Sequence, residues 1–186
     1  MLNEVKNPWK ILDSSEIYNN PWIKLTEHKV LNPSNNPGIY SVVHFKHLAI
    51  GIIPLDENLN TWIVGQYRFP LNKYSWEIPE GGGKHNADPL ESAKRELSEE
   101  VGLAANKWTL IQEFNTSNSV TDEHSLIYLA QELSFHESHP EDDEELIVKK
   151  IPFTELYEMV KNGEIMDSLT IVAVYKTKAL LDQKLI

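Results

Sequence analysis

The sequence predicts an α+β protein built on a mixed sheet, with a small strand-rich annex at its N-terminus. Three observations predict it. Extended, β-branched runs bounded by Asn, Pro and Gly fill most of the first seventy residues. One strongly signalled amphipathic helix follows a Gly-Gly-Gly segment at 81–83, and two further helical patterns close the chain. A length of 186 residues suits one core-bearing domain plus an annex and is short for two full domains.

The first elements read as short strands joined by tight turns: WKILDS, an Asn-Asn-Pro turn at 19–21, WIKLTEHKVL, and the turn NPSNNPG at 32–38. That last turn is the best place for a boundary, giving an annex over 1–38 and a main domain over 39–186. IYSVVHF, LAIGIIPL and TWIVGQY then carry the β-branched and apolar residues of core strands. The clearest helix starts at Asp88, a capping residue, with Pro89 at its first position and Glu91 completing a capping box; Gly102 ends it. Leu90, Ala93, Leu97 and Val101 recur along it at helical spacing and form its buried stripe. KWTLIQEF and SLIYLAQEL read as strands, HESHPEDDEE as a polar loop, and LIVKKI as another strand. A helix over Thr154–Asn162 stops at Gly163, and a last one begins at Asp167.

Composition narrows the chemistry. There is no cysteine, which excludes disulfides, thiolate metal sites and a cysteine nucleophile, so a bound metal must take oxygen or imidazole ligands. The net charge of -11, from 17 basic and 28 acidic residues without a Lys/Arg cluster, disfavours nucleic acid as a partner. The longest apolar run, Leu48 to Leu55, is too short to cross a bilayer, and MLNEVKNPWK lacks the apolar block of a secretory signal. A cytoplasmic protein without a membrane partner is the expectation.

The informative segment is EGGGKHNADPLESAKRELSEEVGL, residues 80–103. Helical spacing lets Glu96, Glu99 and Glu100 share one face, with Arg95 able to pair with Glu91 or Glu99. Grouped like charges cost a few tenths of a kcal/mol per pair, roughly, which a divalent cation would repay. Mg²⁺ uses one or two carboxylates plus waters and substrate phosphate, and a glycine segment lets backbone approach it. Taken alone, the carboxylates read first as a solvated acidic helix face after a flexible turn.

The ordering of these residues resembles the signature of the Nudix hydrolase family. Gly81 opens it, and Arg95, Glu96, Leu97, Glu99, Glu100, Gly102 and Leu103 match in register. One position departs: Ala87 stands where the signature has its first Glu, which puts the rigidity of the loop in question, and Asp88 next door is a partial substitute. NNPWIKLTEHKVLNP, GQYRFPLNKYSWEIPEGGG and the tail EDDEELIVKKIPFTELYEMVKNGEI extend the likeness, toward the ADP-ribose and nucleotide-sugar pyrophosphatase branch, over most of residues 20–180.

The resemblance implies an α/β/α sandwich and a homodimer formed with help from the annex. It implies Mg²⁺, with Mn²⁺ as the alternative ion, held by Glu96, Glu100 and the backbone carbonyl of Glu80. It further implies an acid from the loop after the signature, Asp142 or Glu144, as base or extra ligand, with Glu99 a further catalytic candidate. Arg68 and Glu77 fill the branch's substrate positions; Arg68 is one of only two arginines, and its planar fork suits bidentate phosphate contact. Trp22 is the candidate for stacking on the base. The implied reaction is hydrolysis of the pyrophosphate of a nucleoside diphosphate sugar, first of all ADP-ribose to AMP and ribose 5-phosphate. The rival readings are a hydrolase that cleanses the nucleoside triphosphate pool and a non-catalytic nucleotide-sugar sensor.

Overall fold

The computed structural model describes residues 6–135 and 146–186, which divide by their contacts into two compact units. The first lies within residues 1–46 and 117–123 and the second comprises 47–116 and 124–186. The boundary anticipated at 38/39 therefore falls inside a strand. Gly38 pairs with Val30 inside β3, and by contacts the first unit runs on to Lys46.

The first unit is an antiparallel sheet of three strands, β1 (Lys10–Asn19), β2 (Ile23–Leu31) and β3 (Pro37–Phe45), in the order β1-β2-β3. β1 outruns the expected WKILDS because its pairing with β2 continues, through two register shifts, to Asn19 opposite Lys24. Residues 117–123 lie along β3. Val43 N–H donates to Val120 O (2.9 Å), Tyr40 hydroxyl to Ser119 O (2.6 Å) and Phe45 N–H to Asp122 Oδ1 (2.9 Å).

The second unit holds two sheets: β7-β4-β9-β8, made of β4 (His47–Pro54), β7 (Glu80–Lys84), β8 (Leu103–Asn115) and β9 (His124–Phe135), and β10-β5-β6, made of β5 (Asn60–Arg68), β6 (Lys73–Glu77) and β10 (Ile147–Pro152). β4 and β9 run parallel while the other pairs are antiparallel, so the expected mixed sheet is present. Period-two alternation sorts the side chains between two cores. Ile50, Ile52, Leu126, Tyr128 and Ala130 pack with Ala93 and Leu97 of α1 (Pro89–Glu96) and its continuation. Ile53, Ile127 and Leu129 pack with Phe153, Leu156, Leu169 and Ala173 of α2 (Phe153–Lys161) and α3 (Ser168–Asp182). This is the layered α/β/α arrangement. Among the described residues no helix is long and apolar enough to cross a membrane.

Two local features depart from the sequence reading. The glycine segment is not a loop: β7 pairs Gly81, Gly82 and Gly83 with Ile50, Ala49 and Leu48. A neighbouring strand thus supplies the order that glycine's weak strand propensity withholds. The helix that opens at Asp88 also changes pitch, with α1 giving way to a π turn at Leu97–Val101 before Gly102 closes it at φ 70°. The expected capping box forms by half. Asp88 accepts from Leu90 N–H (2.9 Å), whereas Glu91 turns to Lys94 (2.7 Å).

Asp56 ties the β4–β5 turn to β10. Its Oδ1 accepts from the N–H groups of Asn58 (2.9 Å) and Asn60 (2.8 Å), and its Oδ2 from Lys150 Nζ (2.8 Å). Burial alone would raise this carboxyl, but Lys150 and the turn amides outweigh it and bring it from 3.8 to about 2. A depressed carboxyl stabilises the fold above its unfolded value and loses that contribution as pH falls through the folded one. Asp56→Asn should therefore cost about 1–2 kcal/mol near neutrality. In urea unfolding across pH, the gap to the unsubstituted protein should narrow as pH falls from 3.8 toward about 2; a gap independent of pH would contradict the assignment.

Candidate functional site

Four consecutive residues carry the chain from one sheet of the second unit to the other. Glu77 ends β6 opposite Val64, Ile78 N–H donates to Thr170 Oγ1 (3.0 Å), Pro79 O accepts from Ile52 N–H (2.9 Å), and Glu80 opens β7 opposite Gly51. The candidate site is assembled on this crossing.

On its helix side, Glu80 N–H donates to Glu100 Oε2 (3.0 Å), and the Glu96 carboxylate lies against Gly81. A Cβ at position 81 would overlap that carboxylate, so a side chain there would force Glu96 to move, and glycine serves here through space and not through an unusual φ. Glu96 and Glu100 are 8% and 2% exposed, far from the solvated acidic face that was the alternative. Arg95 fastens the two elements: Nη1 donates to Glu99 Oε2 (2.5 Å), and Nη2 to Gly82 O (3.1 Å) and to Glu96. Burial works against the Arg95 charge, but Glu96 and Glu99 outweigh it and hold the guanidinium's pKa above its ordinary value.

On the other side, Arg68 ends β5. Its Nε donates to both oxygens of Glu77 (3.0 Å each) and its Nη2 to Glu77 Oε2 and Glu80 Oε1 (2.5 Å each). The bidentate fork expected to grip a diphosphate thus grips Glu77. Burial opposes this charge too, and is outweighed by Glu77 and Glu80, so Arg68 stays firmly protonated. Asp167, the N-cap of α3, completes the group: one oxygen from each of Glu77, Glu80 and Asp167 lies within 4.8 Å of the others. Burial above all, then the charges of Asp167 and Glu77, push the Glu80 carboxyl well above the usual carboxylate range, against the pull of Arg68. Glu80 Oε2 is buried without a hydrogen-bond partner among the described residues.

These observations fit a divalent cation. The donors are all oxygen, which selects hard ions such as Mg²⁺ or Mn²⁺. An orphaned buried carboxylate oxygen is a group that an ion would satisfy. The residues available to hold one are Glu96, Glu100 and Glu80, with Glu77 and Asp167 beside them.

Six sequence candidates, Arg68, Glu77, Glu80, Glu96, Glu99 and Glu100, come together at the crossing. Trp22 lies in the first unit, at the turn between β1 and β2, with 67% of its surface exposed. Asp142 and Glu144 lie outside the described residues. Asp88 spends its carboxylate on the helix cap, leaving the Ala87 departure uncompensated by that route. Asp167 and Thr170 were missed as site residues. Asp167 was legible only as a helix start, since its partners lie about ninety residues earlier in the chain.

The model of the NUDIX domain matches residues 45–169, and that of the nucleoside diphosphate sugar hydrolase N-terminal domain matches residues 9–43. The chain belongs to the Nudix family. Among curated relatives, this Nudix chain is 34% identical to an ADP-ribose pyrophosphatase of Mycobacterium tuberculosis (75% of this chain, 68% of the relative). It is 31% identical to an ADP-ribose pyrophosphatase of Bacillus subtilis and to a methanol dehydrogenase activator of Bacillus methanolicus, each match covering 89% of this chain and 90% of the relative. A crystal structure of an ADP compounds hydrolase aligns with a TM-score of 0.86 over 97% of this chain and 98% of that one; at 17% identity the likeness establishes the fold.

Gly81→Ala should displace the Glu96 carboxylate and weaken Mn²⁺ binding by about tenfold or more, read by titration calorimetry, while the variant stays folded by circular dichroism. Unchanged affinity would show that the space beside Gly81 does not set the position of Glu96.

Proposed function

We propose that this Nudix chain hydrolyses the pyrophosphate bond of a nucleoside diphosphate sugar, with ADP-ribose as its first substrate and Mg²⁺ as its ion. The observation that carries this reading is the burial of Glu96 and Glu100 around Gly81, beside an acid with an orphaned oxygen. The relatives named as ADP-ribose pyrophosphatases and the match of residues 9–43 to the N-terminal domain of nucleoside diphosphate sugar hydrolases support the choice of substrate over a nucleoside triphosphate.

In the reaction, water oxygen bonds to one phosphorus, the bridging P–O bond breaks, and the water proton leaves to a base; the products are AMP and ribose 5-phosphate. A divalent ion supplies, when bound, positive charge against the diphosphate oxygens and a lowered pKa for an attacking water. The chain's own residues do the rest. Glu96, Glu100 and the Glu80 carbonyl form the holding site, with Arg95 fixing Glu96 and Glu99 in place. Arg68, braced by Glu77 and Glu80, directs its Nη1 group, which neither carboxylate engages, at a phosphate oxygen. Asp142 or Glu144 accepts the proton.

A net charge of -11 makes the average field oppose an anionic substrate, so activity is expected to be lost on chelation, and full turnover in EDTA would contradict this. Release of AMP from ADP-ribose, compared with GDP-mannose and 8-oxo-dGTP, tests the substrate class. ADP-ribose is expected to be cleaved fastest, and preference for the triphosphate would overturn the reading. Glu100→Gln should lower kcat on the order of a hundredfold or more without unfolding the protein; turnover equal to that of the unsubstituted chain would remove Glu100 from the site.

The homodimer belongs to the same proposal. In the first unit Val30 is the one fully buried apolar residue among those described, while Ile11, Ile17, Trp22 and Ile39 are 64%, 55%, 67% and 68% exposed. A three-stranded sheet with so little core needs a cover, and a second copy supplies it. Light scattering should give twice the monomer mass of 21.4 kDa; a monomer at micromolar concentration would contradict it.

A further inference from the structure

Thr170 stands in the first turn of α3, remote in sequence from every signature residue, and it is fully buried. Its hydroxyl accepts from Ile78 N–H (3.0 Å), and its own N–H donates to Asp167 Oδ2 (2.6 Å). Ile78 is likewise fully buried and lies between β6 and β7, past the end of the β5–β6 register at Glu77 and outside the β4–β7 register at Glu80. A buried amide left unpaired costs more than an ordinary hydrogen bond gains, so this contact, with Ile52 N–H on Pro79 O, holds the crossing in place.

The next residue turns that contact into leverage. Pro79 has no N–H and a φ fixed by its ring, so a displacement of Ile78 has one fewer soft dihedral in which to be absorbed before Glu80. Glu80 in turn touches Glu100 through its N–H and Arg68 through its carboxylate.

We propose that Thr170 is a positioning residue for the divalent-ion site: by accepting from Ile78 N–H, it sets the Glu80 carbonyl and the partner amide of Glu100 in register with Glu96. The proposal rests on the reading of Glu80, Glu96 and Glu100 as the ion's holders. It adds α3, from the opposite layer of the sandwich, as the element that aims them. Thr170 touches neither ion nor substrate, and its influence is on ion affinity before it is on turnover.

The test compares Thr170→Val, Thr170→Ala and Thr170→Ser in the full chain, with Mn²⁺ affinity by calorimetry, the Mg²⁺ dependence of ADP-ribose hydrolysis, and thermal melting. Val and Ala lack the acceptor and should weaken Mn²⁺ by about tenfold or more, raising the Mg²⁺ requirement more than they lower kcat at saturating Mg²⁺. Ser keeps the acceptor and should retain near-normal affinity although it loses the methyl group. Should Val not fold, the Ser and Ala pair still isolates the hydroxyl. Equal Mn²⁺ affinity for Ser and Ala overturns the proposal. An unsubstituted protein that binds Mn²⁺ without cleaving ADP-ribose overturns the reaction assigned above but leaves this inference standing; failure to bind Mn²⁺ at all overturns both.

Discussion

The second unit is organised around an excess of negative charge that it cannot neutralise alone. Glu77, Glu80, Glu96, Glu99, Glu100 and Asp167 meet at one strand crossing, and the chain's two arginines are what the structure sets against them. Burying carboxylates is costly unless each is paired, and an orphaned Glu80 oxygen marks where pairing runs out. Arg68 and Arg95 are bridges, Arg68 joining Glu77 of β6 to Glu80 of β7 and Arg95 joining Glu96 and Glu99 of the helix to the Gly82 carbonyl of β7, so the site has a defined shape while acids still outnumber the cations set against them. That surplus is the physical basis for a divalent ion, and through it for an anionic substrate on a protein of net charge -11.

The fold makes this arrangement affordable by spreading its supports over several elements. β4 lies beside β7 and feeds both cores, α1 and its π turn present Glu96 and Glu100 from one layer, and α3 reaches the same crossing from the other through Asp167 and Thr170. Each acid is thereby fixed by something other than the charge it is meant to balance. Hydrogen bonds that hold the carboxylates from behind orient them for a ligand ahead of its arrival.

Much of the site was legible in the sequence because it is local. Asp88, Pro89 and Gly102 bracket a helix, and the spacing of Arg95, Glu96 and Glu100 needs only that helix to bring them together. Arg68 and Glu77 were legible as site residues only through the family likeness, and their mutual grip was not: it depends on the antiparallel pairing of β5 with β6, and KYSWE is too short a run to declare itself a strand. Gly81–Gly83 reads as a loop by propensity and is made a strand by β4. The π turn leaves no mark in an apolar stripe of helical period. Asp167 and Thr170 show only capping chemistry, since their meeting with Glu80 and Ile78 is tertiary. The Asn/Pro-rich turn near residue 38 joins β2 to β3, and such a turn marks a hairpin as readily as a change of unit.

The role of the acidic crossing turns on where a divalent ion sits. Anomalous diffraction from crystals soaked in Mn²⁺ locates it without reference to activity. Density bounded by the carboxylates of Glu96 and Glu100 and the carbonyl of Glu80 is expected. Those oxygens turned to solvent, with Mn²⁺ bound elsewhere or nowhere, would contradict that expectation.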